Sequence, residues 1–167
     1  MAFLYFVWHR GERGLSLGRL ALVTVLALVA CRAAPEPDTT LQPDSLLRAE
    51  LGLTLEDRVY RVWVSGGEME RADPAETRVE PGAYVEFITT DWLVHEVIFE
   101  ADSLSAEQWA FLERTDQVAS PPLIDRESRY VLAFESAPVG RYPYALEGNG
   151  RPGRGVIVVG EPPPETR

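Results

Sequence analysis

The chain has 167 residues, 46% of them hydrophobic and 25% charged, enough to close one core of domain size. Its 26 acidic residues face 16 basic ones, all of them arginine, for a formal net charge of −10. Such a surface is repelled by phosphate backbones and by anionic lipid, so neither nucleic acid nor an acidic membrane face is an expected partner.

The N-terminal segment reads as an export signal. Arg10, Arg13 and Arg19 lead into an apolar run over residues 20–30, shorter than the ~20 residues a spanning helix needs. Residues 1–8 are apolar where such a signal is usually charged. The run ends at Cys31, the only cysteine, and Leu28-Val29-Ala30-Cys31 resembles a bacterial lipobox. That resemblance implies cleavage of a signal peptide over 1–30, acylation of Cys31, and a protein anchored to a lipid bilayer in the bacterial cell envelope, facing the periplasm or the exterior. Retention of the segment as an uncleaved anchor is the alternative. Cleavage removes Arg10, Arg13, Arg19 and Glu12, so the 16 basic and 26 acidic residues fall to 13 and 25.

Residues 32–43 are polar and rich in proline and acid, without an apolar period, and read as a tether. Fully extended, a dozen residues reach about 40 Å. Asp44 is placed to cap a short helix over 45–51, with Gly52 ending it. The expected organisation is a lipidated tether with a short helix over 31–56, a folded domain over 57–160, and a polar tail over 161–167.

Within the domain, residues 59–64 alternate Tyr60, Val62 and Val64 against Val59, Arg61 and Trp63, the pattern of a strand with one buried face. Residues 77–79 lead into Pro81-Gly82, a turn signal. Further strands are expected over 83–88, 94–99, 130–134, 141–146 and 155–159. Ser105 and Gln108 have the spacing of a capping box, predicting a helix through Trp109, Phe111 and Leu112 that Ser120-Pro121-Pro122 confines. Short strands, frequent turns and one small helix point to an all-β, Greek-key β-sandwich.

The stretch RVEPGAYVEFITTDWLVHEVIFE, residues 78–100, resembles the cupredoxins, the plastocyanin and azurin group. So does APVGRYPYALEGNGRPGRGVIVV, residues 137–159, which is similar to the family's closing motif. The resemblance covers residues 59–160 and implies a cupredoxin-like sandwich. It places the family's first copper histidine at His95, the cysteine at Leu146, the second histidine at Asn149 and the axial methionine at Gly153. One ligand of four remains. Type 1 copper needs two imidazoles and a thiolate. Beyond residue 30 the chain holds only His95 and Cys31 of those types, and Cys31 is the residue the lipobox assigns to lipid. No metal and no other cofactor is therefore expected, beyond a weak adventitious site at His95 with Glu96 or Glu147. A structural histidine is the commoner outcome.

Other motifs fail on context. Gly148, Gly150 and Gly153 match a dinucleotide fingerprint in spacing, but Pro152 and the apolar run over 155–159 point to a turn and a strand rather than a helix N-terminus. No nucleophile elbow accompanies His95, and acidic pairs such as Glu68/Glu70 or Asp125/Glu127 read as solvated faces or partners of Arg71, Arg126 and Arg129. No catalytic residue is expected. Trp92, Leu93, Arg151 and Arg154 are candidates for a partner-binding tip, with Trp92 equally suited to the core. The expected function is a copper-free binding or structural module docking on an envelope protein, such as an accessory subunit of a membrane electron-transfer complex. A copper-dependent electron-transfer protein completed by a partner's ligands is the alternative.

Overall fold

The computed structural model of the protein describes residues 39–160. The segment read as an export signal, Cys31, the first part of the expected tether and the tail over 161–167 lie outside the described residues. Helix α1 (Ser45–Leu51) precedes strands β1 (Val59–Ser65), β2 (Arg71–Asp73), β3 (Glu76–Val79), β4 (Tyr84–Thr89) and β5 (His95–Phe99). Helix α2 (Ala106–Arg114) is followed by β6 (Arg129–Ala133), β7 (Gly140–Gly148) and β8 (Gly153–Val159).

Two four-stranded sheets form, in the orders β2-β1-β4-β6 and β3-β8-β7-β5. Each contains one parallel pair, β1 with β4 and β3 with β8, the remaining pairs being antiparallel. The all-β, cupredoxin-like sandwich expected from the sequence is the fold observed. Its core follows from strand alternation, since every second residue points to the same face. Val62 and Val64 of β1, Val85 and Phe87 of β4, and Leu132 of β6 meet Val97 and Phe99 of β5, Tyr142, Tyr144 and Leu146 of β7, and Ile157 of β8. Burying each such side chain contributes about 1.5–3 kcal/mol. Phe87 and Tyr144 meet edge to face at 5.1 Å between ring centroids.

Both expected helices are present with their caps. Asp44 accepts from the Leu46 and Leu47 N–H groups, and Gly52 ends α1 at a left-handed φ of 68°. Ser105 and Gln108 close a capping box at α2, which buries Phe111 and Leu112. Helix α1, assigned to the tether on sequence, packs instead on the first sheet: Leu47 and Leu53 are buried with Val59 against Tyr84 and Val131. Beside them Arg61 of β1 donates to the Thr40 and Gln42 carbonyls at 2.8 and 2.9 Å. Among the described residues no helix is long and apolar enough to cross a membrane.

Candidate functional site: a histidine held between two carboxylates

Three loops converge where β5 begins and β7 ends. They are the segment 66–70 after β1, the segment 90–94 before β5, and the turn 149–152 between β7 and β8. Along β5, His95, Val97 and Phe99 share the inward face, so the imidazole enters the interior and is fully buried. Its Nδ1 lies 2.6 Å from Glu70 Oε2 and its Nε2 lies 2.8 Å from Asp91 Oδ1. A neutral imidazole has one donor and one acceptor, and an ionised carboxylate accepts only. Two such contacts therefore require two protons among the three groups, leaving the cluster with one net negative charge when the ring is imidazolium.

Each carboxylate is fixed independently of the ring. Asp91 accepts from the Gly66 N–H and the Leu93 N–H, both at 2.8 Å. Burial pushes its carboxyl up, but the Gly66 N–H, the His95 ring and the Leu93 N–H outweigh that and hold it below the usual carboxylate range. Glu70 is 1% exposed and accepts from the Gly150 N–H at 3.2 Å through its other oxygen. Its own N–H donates to the Arg151 carbonyl at 2.9 Å. Glycines make this approach possible. A Cβ on Gly148 would lie 2.6 Å from Glu70 Oε1, and one on Gly153 would lie 2.1 Å from the Glu70 carbonyl oxygen.

The other residues that the resemblance aligned with copper ligands have ordinary structural roles. Leu146 is fully buried in the core, paired with Val97 and Gly153. Asn149 Oδ1 accepts from the Val94 N–H at 3.2 Å, tying the two loops together. Gly153 offers the space that Glu70 occupies. With both ring nitrogens engaged by carboxylates and an apolar side chain at 146, these residues do not fit a type 1 copper ion. Among the described residues, no group of three or more His, Cys, Asp or Glu side chains is arranged to hold a metal.

Glu96 and Glu147, the carboxylates nearest His95 in the sequence reading, are not its partners. Strand alternation turns Glu96 to the opposite face of β5. There it sits directly across from Glu147 of β7. The true partner, Glu70, was read as a solvated face or a partner of a nearby arginine, and its burial against His95 corrects both. Of the four tip candidates, Trp92 is 72% exposed and so is not a core residue. Leu93 is half-buried beside Gly66, and Arg151 is exposed while its backbone brackets Glu68 and Glu70. Arg154 stands apart from this loop cluster, opposite Ala145 on β8, with its guanidinium 3.7 Å from Glu100.

Fold and site together define a cupredoxin-like β-sandwich carrying a buried histidine–carboxylate cluster at one end. No family model matches the chain, and no curated protein matches it. Solved structures do. A reduced amicyanin variant is 24% identical with a TM-score of 0.43, over 61% of this chain and 82% of its own. An oxidised amicyanin variant is 21% identical with a TM-score of 0.41, over 66% and 88%. A purple cupredoxin from Nitrosopumilus maritimus is 15% identical with a TM-score of 0.40, over 60% and 99%. Each is under 25% identical and is a neighbour in fold alone.

Proposed function

We propose that this protein is a lipid-tethered, copper-free cupredoxin-like module of the bacterial cell envelope that acts by binding, holding or docking another envelope protein. In the fullest form of this reading it is an accessory subunit of a membrane electron-transfer complex, a step that rests on fold analogy. The observation that carries the copper-free part is the pair of contacts on His95, at 2.6 Å to Glu70 and 2.8 Å to Asp91. A metal could reach either ring nitrogen only by displacing a carboxylate already hydrogen-bonded to it. The lipobox-like segment ending at Cys31 supports the tether, and the absence of any nucleophile on the His95 ring supports binding over catalysis.

The test is purification of the full-length protein from its own membranes in mild detergent, with intact mass, metal content and co-purifying proteins measured together. The expected result is an acylated Cys31, substoichiometric copper and a companion protein in fixed ratio. Stoichiometric copper with intense thiolate absorption would overturn the reading in favour of a copper-dependent electron carrier. An unacylated Cys31 would overturn the tether.

A further inference from the structure

One face of the sandwich beside the histidine cluster is left unpartnered. The segment after α2 runs antiparallel along β5, with Leu123 opposite His95 and two backbone hydrogen bonds between them at 3.0 and 2.8 Å. That register places Ile124 beside Val94. His95 and Leu123 are both buried, so Val94 and Ile124 point outward, and they are 39% and 58% exposed. Trp92, two residues before Val94, is the most exposed large apolar residue described. Next to them an open depression of about 340 Å³ is lined by Val94, Glu96, Glu147 and Asn149.

Glu96 and Glu147 are directly opposed across the antiparallel pair of β5 and β7. Like charges in that register destabilise a sheet. Where acidic side chains of the sandwich are buried or flanked by arginine they are matched, Glu80 by Arg58, Glu76 by Arg78 and Arg141, Glu86 by Arg61 and Arg129. Among the described residues neither Glu96 nor Glu147 has a side-chain partner. The fold gains nothing from this pair.

We infer that this face docks a protein segment presenting an arginine or lysine between apolar side chains, the cation entering between Glu96 and Glu147 and the apolar groups covering Trp92, Val94 and Ile124. Charge complementarity selects the occupant: a cation cancels a repulsion already built into the sheet. An acidic or wholly apolar partner leaves the repulsion in place and desolvates both carboxylates. This inference rests on the reading of the domain as a binding module and names the partner's chemistry. It replaces Arg151 and Arg154 as recognition groups with two glutamates.

The test is a titration of the isotope-labelled protein with a synthetic peptide of alternating arginine and leucine, read by NMR, against the same peptide with glutamate in place of arginine. The expected perturbations cluster at Trp92, Val94, Ile124, Glu96 and Glu147, with none from the acidic peptide. Glu96→Gln with Glu147→Gln should weaken binding about tenfold and flatten its salt dependence while raising Tm, and Trp92→Ala should weaken it about tenfold with Tm unchanged. The opposed signs of affinity and stability separate a docking role from a structural one. Perturbations spread over the whole acidic surface, binding indifferent to the glutamine variants, or no binding at all would each overturn the inference. Copper content does not enter this assay, so its failure leaves the copper-free reading to be judged separately.

Discussion

Glu70 and Glu86 are both buried glutamates, yet the domain neutralises them with different chemistry. Glu86, in the middle of β4, lies between two guanidinium groups: Arg61 Nε at 3.1 Å and Arg129 Nη1 at 2.7 Å. Arg129 also reaches Asp44 at 2.6 Å, and Arg61 holds the Thr40 and Gln42 carbonyls. Glu70 has only the His95 ring and one backbone N–H, and the ring is shared with Asp91. Arginine keeps its charge at any accessible pH, whereas histidine is the cationic side chain that gives up its proton most readily. The first cluster therefore works as a permanent clamp holding residues 40–44 against the sheet. The second joins three loops through a proton arrangement, in the place where the family resemblance puts a metal ligand. A cupredoxin-like end is thus closed by hydrogen bonds within the chain.

The sharpest way to break this comparison is to delete each glutamate. Glu70→Ala leaves His95 Nδ1 unpaired in the interior and should cost about 3–5 kcal/mol by denaturant unfolding, with Glu70→Gln retaining much of that because an amide oxygen still accepts. Glu86→Ala should cost less, about 2 kcal/mol, because Arg61 and Arg129 are 23% and 27% exposed and can turn to water. Equal losses would mean the two clusters are not distinguished by their cations. A graded difference is expected in acid. Asp91 and Asp44 both have carboxyls held below their ordinary range, Asp91 against burial by the Gly66 N–H, His95 and Leu93 N–H, Asp44 chiefly by Arg129. A depressed carboxyl contributes stability that is present above the unfolded value, 3.8 for both, and is lost as pH falls through the lower folded value. Asp91→Asn and Asp44→Asn should therefore each flatten the acid limb of the stability profile. Only Asp91→Asn should also perturb the His95 ring signal. The smallest effect is expected at Arg154, 75% exposed and 3.7 Å from Glu100, where replacement by Ala should change stability by less than about 0.5 kcal/mol.

Much of the sandwich is written into the chain as alternation. Val62 and Val64, Val85 and Phe87, Tyr142 and Tyr144 are spaced by two and land together in the core. Asp44, Gly52, Ser105 and Gln108 mark both helices because capping is a local hydrogen-bonding requirement. Strand β2 left no such trace, since Arg71-Ala72-Asp73 is short and polar and is held by its register with β1. The position of His95 was legible from its motif, but its partners were not. Glu70 sits in an acidic loop with no period, and its burial arises from tertiary approach alone. The one local sign was the density of glycine at 148, 150 and 153: backbone from residues 67–70 comes too close for a Cβ at 150 and 153, and the Val94 carbonyl and the Glu70 side chain do so at 148. Helix α1 was misplaced for a related reason: Leu47 and Leu53 are too few to signal a docked segment until Val59, Tyr84 and Val131 are seen beneath them.

The most direct test of a histidine cluster standing where the sequence resemblance puts a copper ligand is the nitrogen NMR spectrum of the His95 ring in the folded protein, recorded before and after adding one equivalent of copper. The expected result is a ring whose two nitrogens stay hydrogen-bonded to Glu70 and Asp91, with signals unchanged by the metal. A ring that loses a proton and shifts or broadens with stoichiometric copper would contradict the central claim, because it would mean that Glu70 and Asp91 yield His95 to a metal.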